Sequence, residues 1–149
     1  MKTIIRSLWA LTTAGALAVT GGAWGHHSFS AEFDAAKPMK ITGIVTKVDW
    51  TNPHVWVYVN VKDEKGVANW GAELGPPHVL QRSGWRRETL SIGEQITIDG
   101  FLARNGSNRL NARTVTLAST GGRPGATLDA ASSARDEAGK PDAGEAPKQ

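Results

Sequence analysis

The stretch PHVWVYVNV (residues 53–61) alternates between valine and polar or aromatic side chains. Every second residue from Val55 to Val61 is valine, and Trp56 and Tyr58 lie between them. Because successive side chains of a strand point to opposite faces, this pattern predicts a β-strand with one buried valine face and one aromatic outer face.

Two further segments extend this strand into a sheet. MKITGIVTKVDW (residues 39–50) is rich in β-branched residues, and VANWGAEL (67–74) returns after the polar loop KDEKG (62–66). Such runs, bounded by turn residues, predict a three-stranded meander. Gly43 is where we expect the first strand to bend or bulge.

The remaining elements complete a small barrel. PPHVLQRSGW (76–85) predicts a short helix that starts at the prolines and ends near the glycine. EQITIDGFLAR (94–104) and RLNARTVTL (109–117) predict two strands joined by the turn NGSN. The order strand, strand, strand, short helix, strand, strand predicts a mainly β, five-stranded OB-like barrel. A small β-sandwich and an SH3-like barrel are the alternatives.

Composition sets the domain boundaries. We place the barrel at residues 39–117, after an N-terminal extension at 26–38. Residues 118–149 contain Leu128 as their only large apolar residue, so they predict a disordered C-terminal tail.

The first 25 residues predict a cleavable signal peptide. A charged start precedes an apolar run from Leu8 to Val19, which is short for a membrane span. Small residues before His26 favour cleavage there, and cuts after Ala18 or Ala23 also fit the pattern. The mature protein is therefore expected to be periplasmic or secreted.

Charge and cysteine content exclude several classes. The net charge of +3 includes Lys2 and Arg6, so the mature chain has 15 basic and 14 acidic residues, a net of +1. This balance argues against a nucleic-acid partner. With no cysteine, the chain has no disulfide and no lipid-anchor cysteine. We expect no stable membrane anchor after cleavage.

The histidines suggest a metal site. Cleavage before His26 would join a free amine to its imidazole, and a third nitrogen from His54 or His27 would complete a set suited to Cu(II). His78 is a weaker choice. The same residues also fit an ordinary chain end, a turn and an exposed helix position. A structural zinc site is not expected, because the sequence has no cysteine and no cluster of carboxylates at ligand spacing.

A second hypothesis uses the aromatic residues. Trp56, Tyr58 and Trp70 are predicted to bind a non-metal ligand, since exposed rings on the second and third strands of OB barrels stack on bases or sugars. Arg104 and Arg109 flank the NGSN turn and are candidates to border this surface. The alternative is that the tryptophans, which include Trp50 and Trp85, fill the barrel core.

Catalysis has little support in the sequence. There is no nucleophile elbow, cysteine or phosphate loop, and the carboxylates of Glu32, Asp34, Glu73 and Asp99 are more typical of strand and turn surfaces. We therefore predict that the protein is not an enzyme.

Four segments together carry a family resemblance: HHSFSAEFD (26–34), GIVTKVDWTNPHVWVYVNV (43–61), the glycine and tryptophan turn region (84–93) and ITIDGFLARNGS (96–107). They resemble DUF6152, a family of small exported bacterial proteins of unknown function. The resemblance implies export and makes the histidine start a family feature. We expect an exported β-barrel binding protein that holds copper through an N-terminal histidine; the alternative is a ligand or protein-interaction module.

Overall fold

The computed structural model describes residues 28–119 and 124–135. The predicted signal peptide and the candidate ligands His26 and His27 lie outside these residues. Among the described residues, no helix is both long and apolar enough to cross a membrane. The described elements are, in order, α1 (Phe29–Glu32), β1 (Phe33–Asp49), β2 (Trp56–Asp63), β3 (Gly66–Glu73), α2 (Pro77–Arg82), β4 (Gln95–Ala103), β5 (Arg109–Leu117) and β6 (Ala126–Asp129).

Strands β1 to β5 form a ring of hydrogen bonds. β1 pairs antiparallel with β2 and β4, β2 pairs with β3, and β4 pairs with β5. A short parallel pairing of β3 with β5 closes the ring, with Gly71 opposite Arg109 and Glu73 opposite Asn111. The predicted five-stranded OB-like barrel is confirmed, with α2 between β3 and β4.

The barrel core follows the two-residue alternation of the strands. Val55, Val57 and Val59 have no exposed surface, whereas Trp56 and Tyr58 on the opposite face are partly exposed. Burial of each valine stabilises the fold by roughly 1.5 to 3 kcal/mol relative to an exposed position. The other strands, α2 and the residue that follows β3 contribute to the same core Ile41, Val45, Leu74, Leu80, Ile96, Ile98, Leu110 and Val115.

β1 is irregular where its pairing partner changes from β4 to β2. The pairing of β1 with β2 shifts register between Val45 and Lys47, so the bulge follows the predicted position at Gly43. Gly43 has another role, because a Cβ there would lie 2.6 Å from the carbonyl oxygen of Asn60. The glycine therefore allows close approach of two backbones.

The predicted N-terminal extension (26–38) is partly folded onto the barrel. β1 begins at Phe33, inside that segment, and α1 precedes it. Phe29 and Phe33 are 5% and 2% exposed and form a second apolar cluster with Ala103 and Phe101. The Arg104 side chain also donates hydrogen bonds from Nε to the carbonyl oxygens of Ser30 and Phe33, at 2.7 and 3.0 Å. The start of the described chain is therefore held in place.

A sixth strand lies within the segment predicted as a disordered tail (118–149). β6 pairs antiparallel with the edge of β5 beyond its contact with β3. Trp85 Nε1 donates to the carbonyl oxygen of Asp129 at 2.7 Å. The tail prediction therefore needs correction for β6, since backbone pairing with an available strand edge orders a segment that has little apolar surface.

The residues after β6 satisfy a buried amide. Asn111 is 1% exposed; its Oδ1 accepts from Ser132 Oγ at 2.5 Å and its Nδ2 donates to Ser133 Oγ at 3.0 Å. Because an unpaired buried polar group is costly, this network fixes residues 130–133 against β5.

Candidate functional site

Several of the residues predicted to form a site lie together on the outer face of β2 and β3. In the pairing of these strands, Trp56 is opposite Glu73 and Tyr58 is opposite Gly71. Directly opposed residues share one face of a sheet, and His54 has the same parity as Trp56. The barrel alternation therefore brings an imidazole, a carboxylate and two aromatic rings to one surface.

Two rings stand side by side on this surface. The ring centroids of Trp56 and Tyr58 are 6.3 Å apart, and their planes are inclined by 25°. Gly71 lies beneath them: a Cβ there would be 3.4 Å from Tyr58 Cε1 and 3.5 Å from Trp56 Cζ3. The glycine leaves the space between the two rings unfilled.

A cation flanks each ring. The guanidinium carbon of Arg109 lies 4.6 Å from the centroid of Trp56, and Lys47 Nζ lies 5.4 Å from the centroid of Tyr58. Each such contact contributes roughly 0.5 to 1 kcal/mol at an exposed site. The Asp49 carboxylate, 2.7 Å from Lys47 Nζ, accepts its hydrogen bond and raises the pKa of Lys47. The Lys47 side chain thus remains cationic.

Arg109 reaches the rings because it follows the turn between β4 and β5. Its neighbour Asn108 borders the same depression, which has a volume of about 390 Å³. Arg109 Nη2 is also 3.5 Å from Glu32 Oε2 of α1, an ion pair of two partly exposed side chains. We call this surface the aromatic face and define it as Trp56, Tyr58, Asn69, Gly71, Asn108 and Arg109.

His54 and Glu73 form a close pair beside the aromatic face. His54 Nδ1 lies 2.5 Å from Glu73 Oε1, and the two side chains are 21% and 9% exposed. Among the described residues, Glu73 is the one charged residue that is buried. The prediction that Glu73 is a surface carboxylate is therefore wrong, because its position in β3 turns the side chain toward His54.

The third predicted aromatic residue lies elsewhere. Trp70 is paired with Val59, so it shares the inner face of the sheet and packs against the core. Its position does not join it to Trp56 and Tyr58. Trp50 and Trp85 are 8% and 2% exposed and are core residues, as the alternative interpretation expects.

The other candidates are distributed over the barrel. Arg104 holds the N-terminal segment through the two hydrogen bonds described above, and His78 is exposed on α2. Asp34 pairs with Lys37 at 3.6 Å and Asp99 with Lys40 at 3.3 Å, in separate ion pairs.

The predicted metal site includes residues outside the described part of the chain. Within residues 28–119 and 124–135, no group of three histidine, cysteine or acidic side chains is arranged to hold a metal ion. His54 belongs to this part of the chain, whereas His26 and His27 do not.

The sequence-based prediction missed Gly71 and Asn108, which belong to the aromatic face, and Glu73, which lies beside it. For the two β3 residues the signal is the hairpin register, since counting outward from the KDEKG loop places positions 71 and 73 opposite 58 and 56. Arg109 was predicted to border this surface from its position beside the NGSN turn, and it does so. Asn108 had no comparable signal, because the closing β3 to β5 pairing brings it to this surface.

Comparison with known protein families identifies the chain. Among curated proteins, none matches the chain. The model of a family of unknown function, DUF6152, matches residues 15–111, which is more than half of the chain and includes all of the strands from β1 to β4. The protein is thus a member of the DUF6152 family of unknown function.

Proposed function

We propose that this protein is a small binding domain that holds an aromatic organic anion on the aromatic face. The observation that carries the proposal is the Arg109 guanidinium 4.6 Å above the Trp56 ring, with Tyr58 beside it. Rings provide area for stacking, and a fixed guanidinium provides two donors for a carboxylate.

The position of this surface supports the proposal. OB barrels bind ligands on the face of their second and third strands, flanked by the loops after strands one and four. Here β2 and β3 carry the rings, and the loop after β4 carries Asn108 and leads into Arg109. The fold supplies the position by analogy, and the residues of the aromatic face supply the chemistry.

The two cations that flank the rings favour an anion over a neutral sugar as the ligand. Lys47 and Arg109 flank the two rings, one on each ring. The contact of Arg109 with Glu32 is long and partly exposed, and such ion pairs contribute at most about 1 kcal/mol. A ligand carboxylate can therefore replace Glu32 at small cost.

The test is a titration of the mature protein with 4-hydroxybenzoate, followed by calorimetry and by the NMR signals of the indole N–H groups. We expect saturable binding that shifts the Trp56 signal and leaves Trp85, a core residue, unchanged. Methyl 4-hydroxybenzoate, the neutral ester, should bind more weakly. Trp56→Leu should abolish binding, and Trp70→Leu on the inner face is the matched control.

Two results would contradict this proposal. Equal binding of acid and ester would remove the role of the cations. Binding of cellohexaose with no response to 4-hydroxybenzoate would assign the face to a saccharide.

A second candidate function is copper binding by an exported protein. We propose that cleavage before His26 creates an amine that binds Cu(II) together with the His26 imidazole and His54, with His27 as the alternative third ligand. The contact of His54 Nδ1 with Glu73 favours this candidate, because metal-binding histidines usually donate their second ring nitrogen to a carboxylate.

Anchoring of the N-terminal segment also supports the copper candidate. Arg104 and the Phe29 cluster hold α1 on the barrel, and Glu32 contacts Arg109, which covers Trp56. Cleavage before residue 26 would leave two residues, with a reach of about 7 Å, ahead of this anchored segment.

Intact mass of protein exported by its host tests the cleavage site, and competition titration with Cu(II) tests the ligands. We expect a mass starting at His26 and tight binding that is lost in His26→Ala and His54→Ala but kept in His78→Ala. A different N-terminus, or binding that ignores His26, would eliminate this candidate.

A further inference from the structure

We infer that Asn69 makes the aromatic face selective for aromatic carboxylates that carry a hydroxyl group in the para position. This inference rests on the binding function proposed above and adds to it the class of ligand. Asn69 borders the same depression as Arg109, and its amide is held in one orientation by side chains of the neighbouring strands. The amide oxygen is thus a fixed acceptor for the hydrogen of a ligand hydroxyl.

The amide nitrogen of Asn69 is fully engaged within the sheet. Nδ2 donates to Asn60 Oδ1 at 2.9 Å, to Thr46 Oγ1 at 3.2 Å and to the carbonyl oxygen of Val59 at 3.4 Å. An amide nitrogen only donates, and its two hydrogens are shared among these acceptors. The oxygen of the same amide, Oδ1, has no hydrogen-bond donor in the part of the chain that the structure describes.

The Thr46 hydroxyl decides which way this amide points. Its single hydrogen is donated to the carbonyl oxygen of Tyr58 at 3.2 Å, so toward Asn69 the hydroxyl can only accept. The Val59 carbonyl likewise only accepts. A flipped amide would place Oδ1 against both acceptors, with no hydrogen between the atoms. The network therefore keeps the nitrogen toward the sheet and leaves the oxygen for a ligand.

The acceptor and the cation lie at different positions along β3. Arg109 is paired with Gly71 and its guanidinium covers Trp56, whereas Asn69 lies two residues before Gly71 on the same face. Two residues of a strand span about 6.8 Å. A benzene ring separates a carboxylate from a para hydroxyl by a similar length, so one ligand lying over Gly71 can reach both groups. A meta hydroxyl points away from the line that joins them.

The exposure of Asn69 sets the size of the expected selectivity. The side chain is exposed, so water competes with the ligand for Oδ1. A hydrogen bond between neutral groups then adds only a modest net stabilisation, which corresponds to roughly 3- to 10-fold in affinity. The carboxylate and the ring supply most of the binding, and the hydroxyl decides among ligands that share them.

The test is calorimetry of the mature protein with 4-hydroxybenzoate, 3-hydroxybenzoate and benzoate. We expect 4-hydroxybenzoate to bind roughly 3- to 10-fold more tightly than the other two. In Asn69→Ala all three should bind with the affinity of benzoate, and Thr46→Val, which removes one restraint on the amide, should reduce the preference. Gln95→Ala, which removes an exposed amide from β4, is the matched control and should keep it.

A second comparison tests the direction of the hydrogen bond. 4-Methoxybenzoate keeps the para oxygen but has no hydrogen to donate, so it should bind like benzoate. Binding equal to that of 4-hydroxybenzoate would overturn the acceptor role of Asn69. The ligand series on the wild-type protein tests the selectivity without any variant, and circular dichroism shows whether each variant is folded.

The outcomes separate this inference from the proposed function. Equal binding of the three carboxylates, abolished by Trp56→Leu, would keep the aromatic face as the binding site and overturn the role of Asn69. A preference for 4-hydroxybenzoate that persists in folded Asn69→Ala would assign the hydroxyl to another group and overturn it as well. If none of the acids binds, the proposed function fails, and this inference fails with it.

Discussion

The guanidinium of Arg109 packs against the Trp56 ring at 4.6 Å, although β5 and β2 are not hydrogen-bonded neighbours. The contact exists because β3 pairs with both strands and so closes the barrel. One consequence is that the candidate ligand surface depends on barrel closure as much as on its own residues.

Arg109→Ala should weaken 4-hydroxybenzoate binding by roughly 10 to 100-fold, since a hydrogen bond to a charged group contributes about 1.5 to 3 kcal/mol. Calorimetry measures the change. Arg113→Ala, which removes an exposed arginine of the same strand, should have little effect. Equal losses in both variants would indicate nonspecific attraction.

Gly71→Leu should block the aromatic face without unfolding the barrel. A Cβ at this position is in ordinary contact with both rings, so Gly71→Ala is tolerated, but a leucine side chain must fill the space between them. We expect normal affinity in the alanine variant and loss of binding in the leucine variant. Calorimetry gives both affinities, and unchanged binding in Gly71→Leu would place the ligand elsewhere.

Phe29→Ala should release α1 from the barrel. Removing a ring that is 5% exposed costs about 3 kcal/mol where the chain cannot close the cavity. If the copper candidate holds, the Cu(II) affinity should fall too, because the N-terminus loses its anchor. Urea unfolding and Cu(II) competition measure the two effects, and a stability loss with unchanged affinity would argue against anchoring as part of the metal site.

Ser132→Ala should destabilise the protein although it lies in a region of polar composition. It leaves the Oδ1 of the buried Asn111 without its 2.5 Å donor, a loss of about 1 to 3 kcal/mol. Ser91→Ala is the control at an exposed position. Equal melting temperatures of the two variants would show that the segment after β6 adds little stability.

Much of the barrel was predictable from local patterns. Alternation in residues 53–61 identifies β2, the KDEKG loop fixes its hairpin with β3, and the prolines before α2 mark the helix start. These signals are local because they depend on side-chain parity and on backbone preferences of turn residues.

Other features had no local signal. β6 is ordered because it pairs with the free edge of β5. Asn111 is hydrogen-bonded by serines that lie far along the chain. Trp70 shows that position in the sequence is a poor guide even within one hairpin. It is close in sequence to residues of the aromatic face, yet its pairing with Val59 turns its side chain toward the core.

By itself the sequence determined the order of the strands, the inner valine face and the outward position of Trp56 and Tyr58, because period-two alternation is a property of a single strand. Only the tertiary structure decided that Glu73 meets His54 and that Arg109 covers Trp56. Those contacts depend on hairpin register and on the parallel closure of β3 against β5, which are set by packing between segments distant in the chain.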